Sequence, residues 1–242
     1  MWEEKRMPDK ILQVKNLASY YGQSKIISKL NFELLAGTTV MLLGRNGMGK
    51  TTLLRSLMNL TPPQKEGEVI FKNKDISNEY SYNISQKGIG FVPQGRRLFP
   101  SLTVREHLNM SHREKNNDEW NPQKVYELFP EIARRKKNRG TDLSGGEQQM
   151  LAIGRTLVTN PDLLLLDEPL EGLAPVVADK VIDTMKMLRE KGLTMLWVEQ
   201  KAKFIEEVAD KVFIMEKGNL VYKDSSQDFV TNKKVKKEYL GV

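Results

Sequence analysis

A near-continuous apolar run, TTVMLLG at 38–44, flows into GRNGMGKTT at 44–52 and then into TTLLRSLMNL at 51–60. No other stretch limits the fold so tightly. A strand covered on both faces is continuously apolar, and here it ends in the pattern G-x-x-x-x-G-K-T, followed by a predicted helix. Gly44, Gly47 and Gly49 let the backbone curl with its amides facing inward, which makes an anion-binding nest. The helix that starts there adds its positive end. Lys50 supplies a point charge for β and γ phosphates, and the Thr51 hydroxyl suits a magnesium shell. Arg45, Asn46, Met48 and Thr52 complete the predicted phosphate loop.

Such a loop needs a carboxylate at the end of a neighbouring strand. The run DLLLLDEP at 162–169 provides Asp167, with Glu168 directly after it. One acid for the metal and one to polarise the attacking water is the minimum for phosphoryl transfer to water.

The remaining pattern fits an α/β chain. ILQVKNL (11–17) and LNFELLAG (30–37) alternate as half-buried strands do. EVIF (68–71), GIGFV (88–92) and TMLWV (194–198) are further strands, and 211–224 reads as a hairpin turning at Lys217, Gly218 and Asn219. A helix over 174–192 is closed by Gly192. From Val104 to about Asn138 apolar residues lie scattered among charges, which predicts a helical insert. Strands alternating with helices indicate a sheet with crossovers.

Composition excludes several classes. With no cysteine there is no disulfide, thiol catalysis or thiolate metal site. The two histidines, His107 and His112, share one charged segment, which argues against a multi-histidine metal centre. No apolar run approaches the roughly 18 residues that cross a bilayer. The opening MWEEKRMPDK is charged throughout, so no secretory signal is expected, and a protein facing the cytosol fits best. The net charge is +7, but its basic residues are scattered, with knots at 133–139 and 233–237. Such runs are usually solvated faces, and no nucleic-acid partner is expected.

A further motif, LSGGEQQ, stands at 143–149. Together with GRNGMGKTT, VPQ (92–94) and LLLLDEP, in this order, it resembles the nucleotide-binding subunits of ABC transporters across nearly the whole chain. The resemblance implies one ABC ATPase domain over 1–242. Its P-loop NTPase-type core, about 1–93 and 160–242, has a mixed β-sheet and an N-terminal antiparallel β-subdomain; the inserted helical subdomain spans about 94–159. It implies ATP and Mg2+ as ligands, with Thr51, Gln94 and Asp167 toward the metal. Glu168, Gln94 and Gln200 are the implied catalytic group, and Tyr21, in SYYGQ, is the aromatic that stacks on adenine. It also implies a head-to-tail pair of subunits. Ser144, Gly145 and Gly146 of one then face the γ-phosphate held by the other, using a hydroxyl, bare amides and a helix N-terminus.

Finer similarities, VPQGRRLFPSLTVREHL (92–108), EGLAP (171–175), LWVEQ (196–200) and EYLGV (238–242), resemble importer subunits for branched-chain amino acids, while LLGRNGMGKTTLL is close to the related urea importers. These pair with a second, non-identical ATPase, with permease subunits and, indirectly, with an extracytoplasmic solute-binding protein. The implied place is the inner face of the cell membrane. Two positions depart from the family. Gln200 stands where most members have a histidine, so it can donate a hydrogen bond but not carry charge. Ala174 stands where many have an aspartate. A soluble ABC ATPase, an exporter component and a non-hydrolysing switch remain open alternatives, and so does Gln200 as a mere strand cap.

Overall fold

The computed structural model describes residues 9–113, 119–200 and 204–240. β1 (Lys10–Tyr21) and β2 (Ser24–Leu35) form an antiparallel pair. β3 (Thr39–Leu43) leads into α1 (Lys50–Leu57). β4 (Gln64–Phe71) and β5 (Lys74–Asp75) return to the first sheet, whose order is β2-β1-β4-β5 and whose pairings are all antiparallel. After α2 (Ser81–Gln86) comes β6 (Ile89–Val92).

The helical segment follows: α3 (Val104–Ser111), α4 (Pro122–Leu128), α5 (Pro130–Arg134) and α6 (Gly145–Leu157). Then come β7 (Leu163–Asp167), α7 (Pro175–Glu190), β8 (Thr194–Glu199), α8 (Ile205–Val208), β9 (Lys211–Glu216), β10 (Asn219–Ser225) and α9 (Ser226–Thr231). The second sheet has the order β10-β9-β3-β8-β7-β6, with only β10 antiparallel to its neighbour.

The apolar runs are continuous because this sheet is covered on both faces, and successive residues go to opposite cores. Val40, Leu42, Leu163, Leu165, Leu196 and Val198 pack with α1 and the antiparallel sheet. Met41, Leu43, Leu164, Leu166, Met195 and Trp197 pack with α6, α7 and the helical segment. α6 and α4 approach so closely that a methyl on Gly154 would sit 2.5 Å from Val125 Cγ1.

The strands of the first sheet run beyond the alternating stretches in the sequence. β1 continues to Tyr21 through a bulge at Lys15–Asn16, where Asn16 has φ +50°. β2 begins at Ser24, with Lys29 at φ +51°. A bulge shifts the side-chain period, which hides the strand from an alternation count. Gly67 lies against the bulge, where a Cβ would come 2.5 Å from the Asn16 carbonyl oxygen.

The buried His107 is a structural residue. Its Nδ1–H donates to the Thr103 carbonyl at 2.8 Å and its Nε2 accepts from Phe99 N–H at 3.0 Å, so the neutral ring holds the loop before α3. Burial lowers its pKa. Among the described residues no helix is long and apolar enough to cross a membrane.

Candidate nucleotide site

Four of the five parallel strands, β3, β6, β7 and β8, bring their C-terminal ends to one edge and carry there most of the predicted residues. The loop after β3 bends through Gly47 (φ +78°) and Gly49 (φ +101°), conformations that glycine adopts without strain. At Gly44 the reason for glycine is space: a Cβ would lie 2.5 Å from the Met215 carbonyl oxygen. Lys50 opens α1, is 4% exposed, and donates to the carbonyls of Gly44 (2.7 Å) and Arg45 (3.1 Å). Its Nζ is also 3.3 Å from Glu168 Oε1. The tip of the β9–β10 hairpin supports the loop, with Gly218 N–H donating to the Met48 carbonyl at 3.1 Å.

β7 ends in the buried Asp167, whose Oδ1 accepts from the Thr51 hydroxyl at 3.0 Å. Burial pushes the Asp167 carboxyl up to about 6, opposed by the Thr51 hydrogen bond and Lys50. Glu168 follows with φ +47°, a left-handed conformation that costs a non-glycine residue on the order of 1–3 kcal/mol. Its backbone N–H donates to the Val198 carbonyl at 3.0 Å. That turn delivers the carboxylate between Lys50 and Gln200, whose Nε2 donates to Glu168 Oε2 at 2.5 Å. Gln200 thus touches the carboxylate predicted to act on water.

Gln94, two residues beyond β6, donates its side-chain N–H to Glu171 Oε2 at 2.7 Å. Tyr21 ends β1 partly exposed, whereas Tyr20 is turned to Glu66 (3.3 Å) and lies under the Lys25 ammonium. Tyr21, Ile26, Asn46, Gly47, Met48, Gly49, Lys50, Thr51, Thr52, Gln94, Glu168, Glu171 and Gln200 line one cavity of about 470 Å³.

Ser144, Gly145 and Gly146 are not among the residues lining that cavity. Ser144 caps α6: its Oγ accepts from Glu147 N–H while Glu147 accepts from Ser144 N–H. The glycines are also packing residues. A Cβ on Gly145 would meet the Arg96 guanidinium at 3.1 Å, and one on Gly146 would meet Val177 Cγ1 at 2.7 Å. Ala174 precedes α7 without a side-chain cap.

Two acidic residues stand outside the predicted site set. One is Glu171 at the cavity wall. The other is Glu199, the last residue of β8, which accepts from the Trp197 indole N–H and the Gln200 backbone N–H at 3.3 Å each. Burial pushes Glu199 up to about 7. A polar residue next to Gln200 at the end of a buried strand was the available signal.

Among the described residues no three or more histidines, aspartates or glutamates cluster as a metal site. A hydroxyl and one buried carboxylate beside a phosphate loop form instead the sparse oxygen donor set that suits Mg2+, which keeps much of its shell for water and phosphate.

Residues 27–171 match the family model described as ABC transporter. The chain belongs to the ABC transporter family. This ABC subunit binds and hydrolyses ATP. It is 39% identical over 233 residues to the high-affinity branched-chain amino acid transport ATP-binding protein BraG of Pseudomonas aeruginosa, covering 96% of this chain and 100% of BraG. It is 35% identical to the arginine transport ATP-binding protein ArtP of Haemophilus influenzae, covering 90% and 93%. Among solved structures, a nucleotide-free ATP-binding cassette aligns with TM-score 0.80 at 25% identity over 93% of this chain and 94% of that one. A dimeric cassette in a post-hydrolysis state with ADP and phosphate aligns with TM-score 0.76 at 25% identity, over 89% and 98%. The fold expected from the sequence, with its mixed sheet and antiparallel subdomain, is the fold observed.

Proposed function

We propose that this ABC ATPase subunit drives uptake of branched-chain amino acids or a related small polar solute such as urea. It would do so with a second, non-identical ATPase, with permease subunits, and on the inner face of the membrane. The likeness to BraG over that protein's full length supports the branched-chain reading. An extracytoplasmic binding protein would deliver the solute to the permeases.

The observation that carries the chemistry is the convergence of Lys50, Thr51, Gln94, Glu168 and Gln200 on one cavity. Tyr21 stacks on adenine, and the amides of residues 44–52 with Lys50 hold the phosphates. Thr51, Asp167 and Gln94 would hold Mg2+, which when bound neutralises phosphate charge. Glu168 polarises a water for in-line attack on the γ-phosphorus; the bond to the bridging oxygen breaks, and ADP and phosphate leave. Gln200 steadies the Glu168 carboxylate by the hydrogen bond already present and lies within the same cavity to meet the γ-phosphate. Ser144, Gly145 and Gly146 complete the partner subunit's site.

Proteoliposomes carrying the complete transporter test the reading. Leucine, isoleucine or valine, supplied with the binding protein, should raise ATP turnover and accumulate inside. Stimulation by urea alone would move the substrate within the proposal. Indifference to all of these solutes, in a complex that hydrolyses ATP, would overturn it.

A further inference from the structure

Gln94 is held by its side chain, whose Nε2 donates to Glu171 Oε2 at 2.7 Å. The two ends of a glutamine amide have nearly the same shape but opposite polarity. An ionised carboxylate only accepts, so the amide can face Glu171 only with its NH2 end. Oε1 is then the end left for another partner, and Gln94 lies in the wall of the cavity that also contains Thr51 and Glu168.

We propose that Glu171 is a positioning residue: it fixes the polarity of the Gln94 amide so that the carbonyl oxygen is the atom offered to the metal ion. This rests on the assignment of Thr51, Gln94 and Asp167 to Mg2+ given above. Hard divalent cations bind carbonyl oxygen and are repelled by an amide NH2, so the orientation decides between a ligand and an obstacle. Glu171 is itself held in place. Its backbone N–H donates to the Glu168 carbonyl at 3.1 Å, in the tight turn that follows β7. The same contact therefore ties Gln94, beyond β6, to the turn that carries Glu168.

Two effects have to be separated, the orientation of the Gln94 amide and the charge of a carboxylate near a cation. A double-variant cycle with Mn2+ as the probe separates these. Mn2+ affinity is measured by electron paramagnetic resonance with a non-hydrolysable ATP analogue bound. The proteins are the full-length chain and its Gln94→Ala, Glu171→Gln and doubly substituted variants. Thermal stability and metal-free nucleotide affinity, in EDTA, are measured alongside. Glu171→Gln should weaken Mn2+ binding roughly 2- to 10-fold, because a second amide can pair with either end of the Gln94 side chain and no longer fixes its polarity. It should leave metal-free nucleotide affinity unchanged and add nothing to Gln94→Ala. If Glu171→Gln weakens Mn2+ equally with or without Gln94, charge alone acts and the inference falls. If it has no effect while Gln94→Ala does, the inference falls and the Gln94 assignment stands. If Gln94→Ala leaves Mn2+ affinity unchanged, the assignment of Gln94 to the metal falls, and the inference with it.

Discussion

The phosphate cradle and the signature segment are built from the same parts, glycines at the start of a helix, and end up in opposite conditions. In the cradle, Lys50, Thr51, Asp167, Glu168 and Gln200 are joined by contacts of 2.5–3.3 Å within one chain. At the signature, Ser144 and Glu147 satisfy each other in a capping box, and the two glycines are occupied by Arg96 and Val177. No residue of that segment lines the cradle's cavity. Under the proposed head-to-tail pairing, one region is a site lacking its far wall and the other is the wall for a partner's site. A chain divided in this way is expected to hold nucleotide alone and to need a second subunit for turnover.

The largest expected effect lies on the cradle side. Glu168→Gln keeps the phosphate contacts but cannot polarise water, so phosphate release in the assembled complex should fall about 100-fold or more, while nucleotide affinity stays within a few-fold. Turnover close to wild type would remove Glu168 from its role.

On the signature side, Ser144→Arg puts a long charged side chain where a γ-phosphate should rest. Nucleotide affinity of the isolated chain, followed by fluorescence, should be unchanged. Turnover of the assembled complex should drop on the order of 10-fold or more, as for removal of a donor to a transition-state oxyanion. Gly146→Ala is a poorer probe, because a methyl there strikes Val177 in the same chain. Weakened nucleotide binding by the isolated Ser144→Arg chain would erase the distinction between the two regions.

A smaller effect concerns what the cradle's completeness costs. Glu199 is held protonated to about pH 7 by burial. An acid whose folded pKa lies above its unfolded value favours the fold fully below the unfolded value, and that contribution is lost as pH rises through the folded one. Between about pH 4.5 and 7 the nucleotide-free chain should therefore lose on the order of 1–3 kcal/mol of stability through this group. Glu199→Gln should flatten that slope in denaturant unfolding. Trp197, whose indole donates to Glu199, offers a fluorescence reporter of the same titration. An identical slope in wild type and variant would contradict it.

How legible each region was in the sequence follows the same division. The cradle was readable because its chemistry is local: glycines, Lys50 and Thr51 lie within nine residues, and Asp167 and Glu168 end a run of leucines. The doubly covered sheet announced itself through unbroken apolar runs. What escaped was non-local or hidden by irregular backbone. The bulge at Lys15–Asn16 and the left-handed Lys29 broke the period of β1 and β2. Glu171 is chemically ordinary until folding sets it against Gln94, 77 positions away in the chain. Glu199 closes the apolar run TMLWV, and only its burial makes it a titrating group near neutrality. The packing role of Gly145 and Gly146 was invisible because Arg96 and Val177 are brought to them by tertiary structure.

The divided site is tested most directly by turnover per chain as the assembled fraction is varied. The wild-type chain is held at saturating MgATP while its partner ATPase is titrated in, with the association state read by analytical ultracentrifugation in the same buffer. The account predicts that nucleotide remains bound throughout and that phosphate release per chain follows the assembled fraction, falling toward zero in the monomer. Full turnover by a strictly monomeric chain, constant on further dilution, would contradict it.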